Sequence, residues 1–277
     1  GARLGIAAQS VGLSQAAYNE GLAYAKDRKQ FGKAIIEFPA VAEILSLMKA
    51  KLDASRTLLY ETARYVDVYK ALDDIAKERK LTPEERQEQK TFSKLADSFT
   101  PLAKGIGSEF ANQNAYDCIQ IHGGSGFMKD YACERIYRDS RITSIYEGTT
   151  QLQVVAAIRY VTTGAYLSKI REYETAQVAP EFEGLKNRLK ELANKYEAIV
   201  TKITEEKDQE LIDFAARRLV EMSAHLIMSH LMVQDASKND LFTESAHVYV
   251  RFAESEIDKH VTFLCKFDKD DLAYYRK

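Results

Sequence analysis

A single carboxylate, Glu147, stands in the run Ile145-Tyr146-Glu147-Gly148-Thr149-Thr150-Gln151-Leu152-Gln153, beside a glycine that can make a turn. Behind it Leu152, Val155, Ala156, Ile158 and Arg159 recur with helical spacing, so a rigid element can aim the acid into a cleft. Partial desolvation in such a place raises a Glu pKa toward that of a useful general base. An acid in the first turn of a helix is also explained by the partial positive charge of the helix N-terminus. The residues upstream decide between the two readings.

Two segments accompany the acid. Arg28-Lys29-Gln30-Phe31-Gly32-Lys33 closes an apolar helical stretch and precedes Phe38-Pro39-Ala40. Gln120-Ile121-His122-Gly123-Gly124-Ser125-Gly126-Phe127 is followed by Glu134-Arg135-Ile136-Tyr137-Arg138-Asp139. An Arg offers charge and forked donors, a Phe an apolar or stacking face, and glycines admit a backbone close to a ligand. A charge run closing a helix and a plain helix stop are the bland alternatives.

In this order, the three segments resemble the C-terminal half of the acyl-CoA dehydrogenase family, over about Arg3 to Tyr160. The resemblance implies oxidation of the α–β bond of an acyl-CoA thioester, with Glu147 as the base that removes the α proton and FAD as the hydride acceptor. Two effects narrow the acidity gap: a raised carboxylate pKa, and hydrogen bonds to the thioester carbonyl as negative charge develops there. The Glu147 N–H is implied as one such donor. Gly148 would let the substrate approach, Tyr146 lines it, and Arg3 matches a basic position at its end of the first helix. Arg28, Gln30 and Phe31 match FAD contacts made from a neighbouring subunit, and Gln120, Gly123 and Gly124 a loop against FAD from across the dimer. Thr149 and Gln151 match residues near the adenosine portion, and Arg138 with Asp139 an ion pair beneath the catalytic loop. Some members carry the catalytic Glu near the start of the first helix; here Ala2 precedes Arg3 and the acid is at position 147.

The family also has an N-terminal helical domain and a middle β-domain, and nothing in this chain resembles either. The expectation is a piece of a longer enzyme that alone binds FAD weakly or not at all and does not turn over. Acyl-CoA and electron-transfer flavoprotein are the implied partners, with a homodimer first and a tetramer second. An acyl-CoA oxidase and a helical assembly module without chemistry are the competing readings.

The elements that must position these residues read all-α. The 277 residues are 45% hydrophobic with only 4 prolines and 13 glycines, which suits long helices around a sizeable core. With 39 basic and 41 acidic residues there is no basic footprint for nucleic acid, and no apolar run is long enough to span a bilayer. The three cysteines, Cys118, Cys133 and Cys265, show no pairing or zinc spacing and suit a reducing cytoplasm; His225 and His230 are not spaced as a helical metal pair, so no metal is assigned.

Helical spacing predicts a first helix over Gly1 to Lys26, a loop to Phe38, and a long helix from Pro39 through Val66. A charged excursion, Asp73 to Gln89, holds a helix-start signature at Thr82-Pro83-Glu84-Glu85. A helix over Phe92 to Ile121, with a kink at Pro101, precedes short helices at Tyr131 to Arg138 and Thr149 to Gly164. Leu185, Leu189, Leu192, Tyr196, Ile199 and Ile203 form a heptad-like seam, which Leu211, Ala215, Leu219, Met222 and Leu226 continue. The fold class is an up-and-down helical bundle over residues 1–164, like the family's C-terminal domain, followed by a second helical bundle over 165–277.

Overall fold

Three long helices, α1 (Ala2–Asp27), α2 (Pro39–Glu78) and α3 (Pro83–His122), meet around Asn114. Its side-chain amide donates to Ser14 Oγ on α1 at 2.7 Å and to the Met48 carbonyl on α2 at 3.0 Å, in full burial. Along α2 and α3, Gln89 meets Asp73, Gln113 meets Lys51 and Asn114 meets Met48, so the two run antiparallel. Ser14 lies beside Asn114, and Gly21 sits against Ile121, so α1 and α3 run parallel. Gly21 is where this pair comes close: a Cβ there would lie 3.3 Å from Ile121 Cδ1.

The computed structural model describes residues 1–276 and is all-α apart from one two-stranded hairpin. That hairpin was expected as a loop. Lys29–Gln30 pairs antiparallel with Lys33–Ala34, and Phe31 (φ +51°) and Gly32 (φ +84°) make the turn. Strands of two residues carry no readable alternation, which is why periodicity missed them.

The charged stretch 73–89 is not a separate excursion. It is the end of α2, a four-residue break at 79–82 and the first turns of α3. Thr82 caps α3 as expected: its hydroxyl accepts from the Glu85 N–H, and the Glu85 carboxylate accepts from the Thr82 N–H. The helix expected from Phe92 thus begins at Pro83 and continues through Pro101. Near the proline, the Ser98 and Thr100 hydroxyls donate to the Leu95 and Ala96 carbonyls, and the Tyr166 hydroxyl donates to the Ser98 carbonyl.

A short turn, α4 (Gly124–Phe127), leads to α5 (Cys133–Thr143), two residues later than expected at its start and five at its end, and then to α6 (Thr150–Thr162). The remainder is α7 (Ala165–Glu174), α8 (Glu183–Glu205), α9 (Gln209–Ala236) and α10 (Thr243–Lys266). The seam residues Leu189, Leu192, Tyr196, Ile199 and Ile203 are buried. On α9 every residue from Met222 to Val233 is buried, so this helix is not amphipathic there. It packs on α8 and α10 and also on α2, α6 and α7. One apolar core runs from Ala7 to Leu272, and a smaller cluster of α1, α2, α3 and α5 holds Cys118 and Cys133. Among the described residues, no helix is long and apolar enough to cross a membrane.

Candidate active site

The loop between α5 and α6 carries Tyr146, Glu147, Gly148 and Thr149, and its backbone is unusual. Glu147 has φ +54° and Gly148 φ +93°, two successive residues in the left-handed half of conformational space. For a Glu this costs about 1–3 kcal/mol, so the surroundings must enforce it. The Thr150 N–H closes the loop by donating to the Ser144 carbonyl at 3.1 Å. Thr149 is the N-cap of α6, its hydroxyl accepting from the Leu152 N–H. Glu147 therefore precedes the helix, as expected, and the alternative of an acid in the first helical turn does not apply.

Two side chains hold the Gly148 carbonyl. Lys104 on α3 donates to it at 2.6 Å, and Gln153 on α6 at 2.9 Å, with a longer contact to the Glu147 carbonyl at 3.4 Å. Lys104 is fully buried and Gln153 nearly so. Burial pushes the Lys104 ammonium below its ordinary pKa, while the charges of Glu109 and Glu147 act the other way. Glu109 accepts from the Thr150 hydroxyl at 2.6 Å, and the Tyr146 hydroxyl donates to Gln9 on α1. The loop is thus tied to α1, α3 and α6. At Gly105 a Cβ would lie 3.3 Å from Gln153 Cβ, so the missing side chain lets α3 and α6 approach.

Sequence reasoning missed Lys104, Gln153, Glu109 and Gln9. The one local signal was a lysine inside Leu102-Ala103-Lys104-Gly105-Ile106, a run otherwise suited to burial. Gly148 was read as making room for a ligand; the structure adds that its φ requires glycine and that a Cβ would meet Gln153 Nε2 at 2.8 Å. Glu147 itself is exposed, so within this chain alone its side chain is not buried as expected. Arg138 and Asp139 are both exposed and form no ion pair with each other among the described residues, so the expected pair is not made. Tyr146, Gly148 and Thr149 are partly covered, as is Arg3 near the start of α1; Gln151 is exposed.

The remaining predicted residues lie at the other end of the α1–α3 pair. Arg28, Gln30 and Phe31 belong to the hairpin after α1, and Gln120, Gly123 and Gly124 to the end of α3. Tyr24 stacks on His122 at 4.2 Å, which fixes these two ends side by side. Lys104 and Gln120 are separated by about 24 Å along the helix axis at the α-helical rise. The expected residues therefore fall in two groups, an acid loop at one end and an exposed hairpin with a glycine loop at the other. The second fits a dinucleotide cofactor: Phe31 is 93% exposed, Arg28 is exposed without an acidic partner among the described residues, and Gly123 and Gly124 have open space where a Cβ would be.

At this end the structure brings together two cysteines that the sequence left apart. Cys118, His122 and Cys133 are buried and adjacent. Burial first, then Cys133 and Glu20, push the Cys118 thiol up to about 12.

Residues 1–161 match the family model "Acyl-CoA dehydrogenase, C-terminal domain", and residues 162–272 match "Acyl-CoA dehydrogenase C terminal". The chain is 38% identical over 167 residues to the caffeyl-CoA reductase-Etf complex subunit CarC of Acetobacterium woodii, covering 60% of this chain and 36% of that protein. It is 38% identical over 151 residues to a 3-(aryl)acrylate reductase of Clostridium sporogenes, covering 54% and 34%. A short-chain specific acyl-CoA dehydrogenase of Megasphaera elsdenii is 34% identical over 167 residues, covering 60% and 36%. The matched part thus spans about a third of these relatives' length. The fold is similar to that of an acyl-CoA dehydrogenase complexed with FAD from Bacillus anthracis, with TM-score 0.75, 23% identity, and 98% of this chain and 50% of that one covered. The family model's match over more than half of the chain, with the motifs above, means that this protein belongs to the acyl-CoA dehydrogenase family.

Proposed function

We propose that this chain is the part of a flavin-dependent acyl-CoA dehydrogenase that carries the catalytic base. Glu147 is the base, within an acyl-CoA dehydrogenase C-terminal domain at residues 1–164, and residues 165–277 are an added helical unit. The supporting observation is the strained, triply tied loop that projects Glu147. A bulky acidic residue held at φ +54° beside a glycine at φ +93°, with its own side chain left free, is strain stored where a reacting group must point. Among the described residues the Glu147 N–H donates to no intramolecular acceptor, so it is available to a thioester carbonyl.

The chain's residues divide the work. Lys104 and Gln153 fix the Gly148 carbonyl and so the direction of the preceding side chain. Tyr146 anchors the loop to α1, whose first turn holds Arg3 toward the substrate end. The Glu147 carboxylate takes the α proton, and its N–H stabilises charge on the carbonyl oxygen. Bound FAD supplies the hydride acceptor. Arg28, Gln30, Phe31, Gln120, Gly123 and Gly124 would hold that cofactor, with Thr149 and Gln151 as further contacts.

The separation of the two residue groups along α3 supports a homodimer in which each chain's hairpin and glycine loop would hold a cofactor that serves the partner. Acyl-CoA as substrate and electron-transfer flavoprotein as redox partner complete the reading. The test is α-hydrogen exchange from a non-oxidisable acyl-CoA into heavy water by the whole enzyme. Wild type exchanges, and Glu147→Gln does not; exchange at the wild-type rate in the variant rejects the assignment.

A second reading concerns direction. Two of the relatives are named as reductases of caffeyl-CoA and of an arylacrylate. In a reductive reaction Glu147 returns a proton to the α carbon. Assaying saturated and α,β-unsaturated thioesters with matched donors and acceptors distinguishes the two directions.

A further inference from the structure

We propose that Cys118, His122 and Cys133 form a binding site for a thiophilic divalent metal ion, of which Zn²⁺ is the expected physiological occupant. Cys118 and His122 are one turn apart on the last turns of α3, so their side chains share a face. Cys133 opens α5 and its thiol donates to the Gly126 carbonyl at 3.4 Å, which folds the glycine loop over the cluster. Both sulfurs and one ring nitrogen of His122 lie within 4.8 Å of one another, and Nδ1 stands 4.0 Å from Cys118 Sγ. Tetrahedral zinc with sulfur at about 2.3 Å and nitrogen at about 2.0–2.1 Å places its ligands roughly 3.5–3.8 Å apart. A contraction of about 1 Å closes that gap.

The imidazole supplies an independent observation. His122 is 3% exposed and its Nδ1 lies 2.8 Å from the Cys118 carbonyl oxygen. A carbonyl only accepts, so Nδ1 carries the proton and Nε2 is a bare lone pair. That Nε2 is buried and has no partner. Unsatisfied buried acceptors are rare and call for an explanation. A metal that draws this lone pair toward the two sulfurs satisfies it, and the Nδ1–H bond to a backbone carbonyl is the usual support behind a ligating imidazole. Two thiolates and one imidazole are a donor set that soft or borderline metals prefer. The charges also balance: the divalent ion displaces one proton from each thiol, and the resulting centre is neutral. Neutrality suits its surroundings, the apolar cluster with Ala17, Ile121 and Ile136.

The site has a structural consequence that does not depend on Glu147. The loop lies directly on the histidine, since a Cβ at Gly126 would be 2.7 Å from His122 Cβ and 2.8 Å from the Ile119 carbonyl oxygen. Metal joining α3 to α5 clamps Gly123–Gly126 between them.

The experiment titrates the reduced, metal-stripped intact protein with Co²⁺ as the spectroscopic probe and then with Zn²⁺. One Co²⁺ per chain with a thiolate-to-cobalt charge-transfer band is expected, bleached by Zn²⁺. Tm rises by about 5 °C at a hundredfold excess of metal over Kd. Cys118→Ala and Cys133→Ala each abolish the band, whereas Cys265→Ser, at an exposed position, keeps it. Circular dichroism checks folding, and because the two cysteines lie on different helices either variant alone carries the test. No stoichiometric cobalt, a band that survives in a folded Cys133→Ala protein, or a Cys118–Cys133 disulfide in the freshly isolated protein overturns the proposal.

Discussion

The ammonium of Lys104 donates a 2.6 Å hydrogen bond to the carbonyl oxygen of Gly148, across 44 positions of sequence. This joins the middle of α3 to the loop that presents Glu147. A positive charge spent on a backbone carbonyl inside a protein indicates that the position of that carbonyl matters, because burying an ammonium is unfavourable and a hydrogen bond to a charged group returns about 1.5–3 kcal/mol.

Lys104→Met keeps the length of the side chain and removes the charge. It leaves Gln153 alone on the Gly148 carbonyl and loosens the acid loop. In the intact enzyme we expect kcat to fall about tenfold or more with flavin content unchanged, and Lys104→Arg to restore little because the fork does not fit a single buried carbonyl. Steady-state kinetics beside the flavin-to-protein absorbance ratio measures this.

Gly148→Ala meets two obstacles. The backbone is at φ +93°, and the added Cβ would stand 2.8 Å from Gln153 Nε2. Moving Gln153 aside sacrifices its bond to the same carbonyl. The expected loss is about 1–3 kcal/mol of stability, read by denaturant titration, with a parallel drop in turnover. Glu147→Gly does the opposite for stability: it relieves the left-handed strain, raises stability by about 1 kcal/mol, and abolishes activity.

How far this site was legible in the sequence follows from range. Thr82 and Thr149 act as caps through bonds that span three residues, and both could be placed from local sequence. The long helices followed from periodicity, since α1, α2 and α3 each bury a face. Lys104–Gly148 and Tyr146–Gln9 join residues far apart in sequence, and no local pattern encodes them. Cys118 and Cys133 meet only because α4 folds back between α3 and α5. Helix α9 was read as one side of a seam, yet it is buried all round between Met222 and Val233, because elements from both parts of the chain cover it.

Two histidines on α9 predict the pH dependence of stability. Burial holds His225 and His230 each at about 4, below the ordinary 6.5, so both are neutral in the folded protein. Between those values the unfolded chain binds protons that the folded one refuses, so stability rises with pH across this window. The stabilisation is fully present above about pH 6.5 and is lost as pH falls toward 4. From about pH 7.5 to about pH 5 each histidine contributes a loss of about 2 kcal/mol. Urea denaturation across that range measures it, and His230→Gln should reduce the slope. Stability that stays flat from pH 7 to 5 contradicts the prediction.

The hairpin bears on cofactor affinity. Arg28→Gln removes a charge offered to a pyrophosphate, and Phe31→Ala removes a side chain that is 93% exposed and so contributes little to the fold of its own chain. In the intact enzyme each is expected to raise the FAD dissociation constant about 10-fold or more while leaving the Tm of the apoprotein within about 2 °C. Fluorescence titration with FAD reads the first effect and a thermal melt the second.

The most direct measurement is turnover of the intact enzyme carrying Glu147→Gln, assayed with its acyl-CoA substrate and an artificial electron acceptor, alongside its flavin content. The amide preserves size and removes the base, so the predicted result is full flavin occupancy with kcat reduced about 10²–10⁴-fold. Wild-type turnover in that variant, with flavin bound, contradicts the assignment of Glu147 as the base.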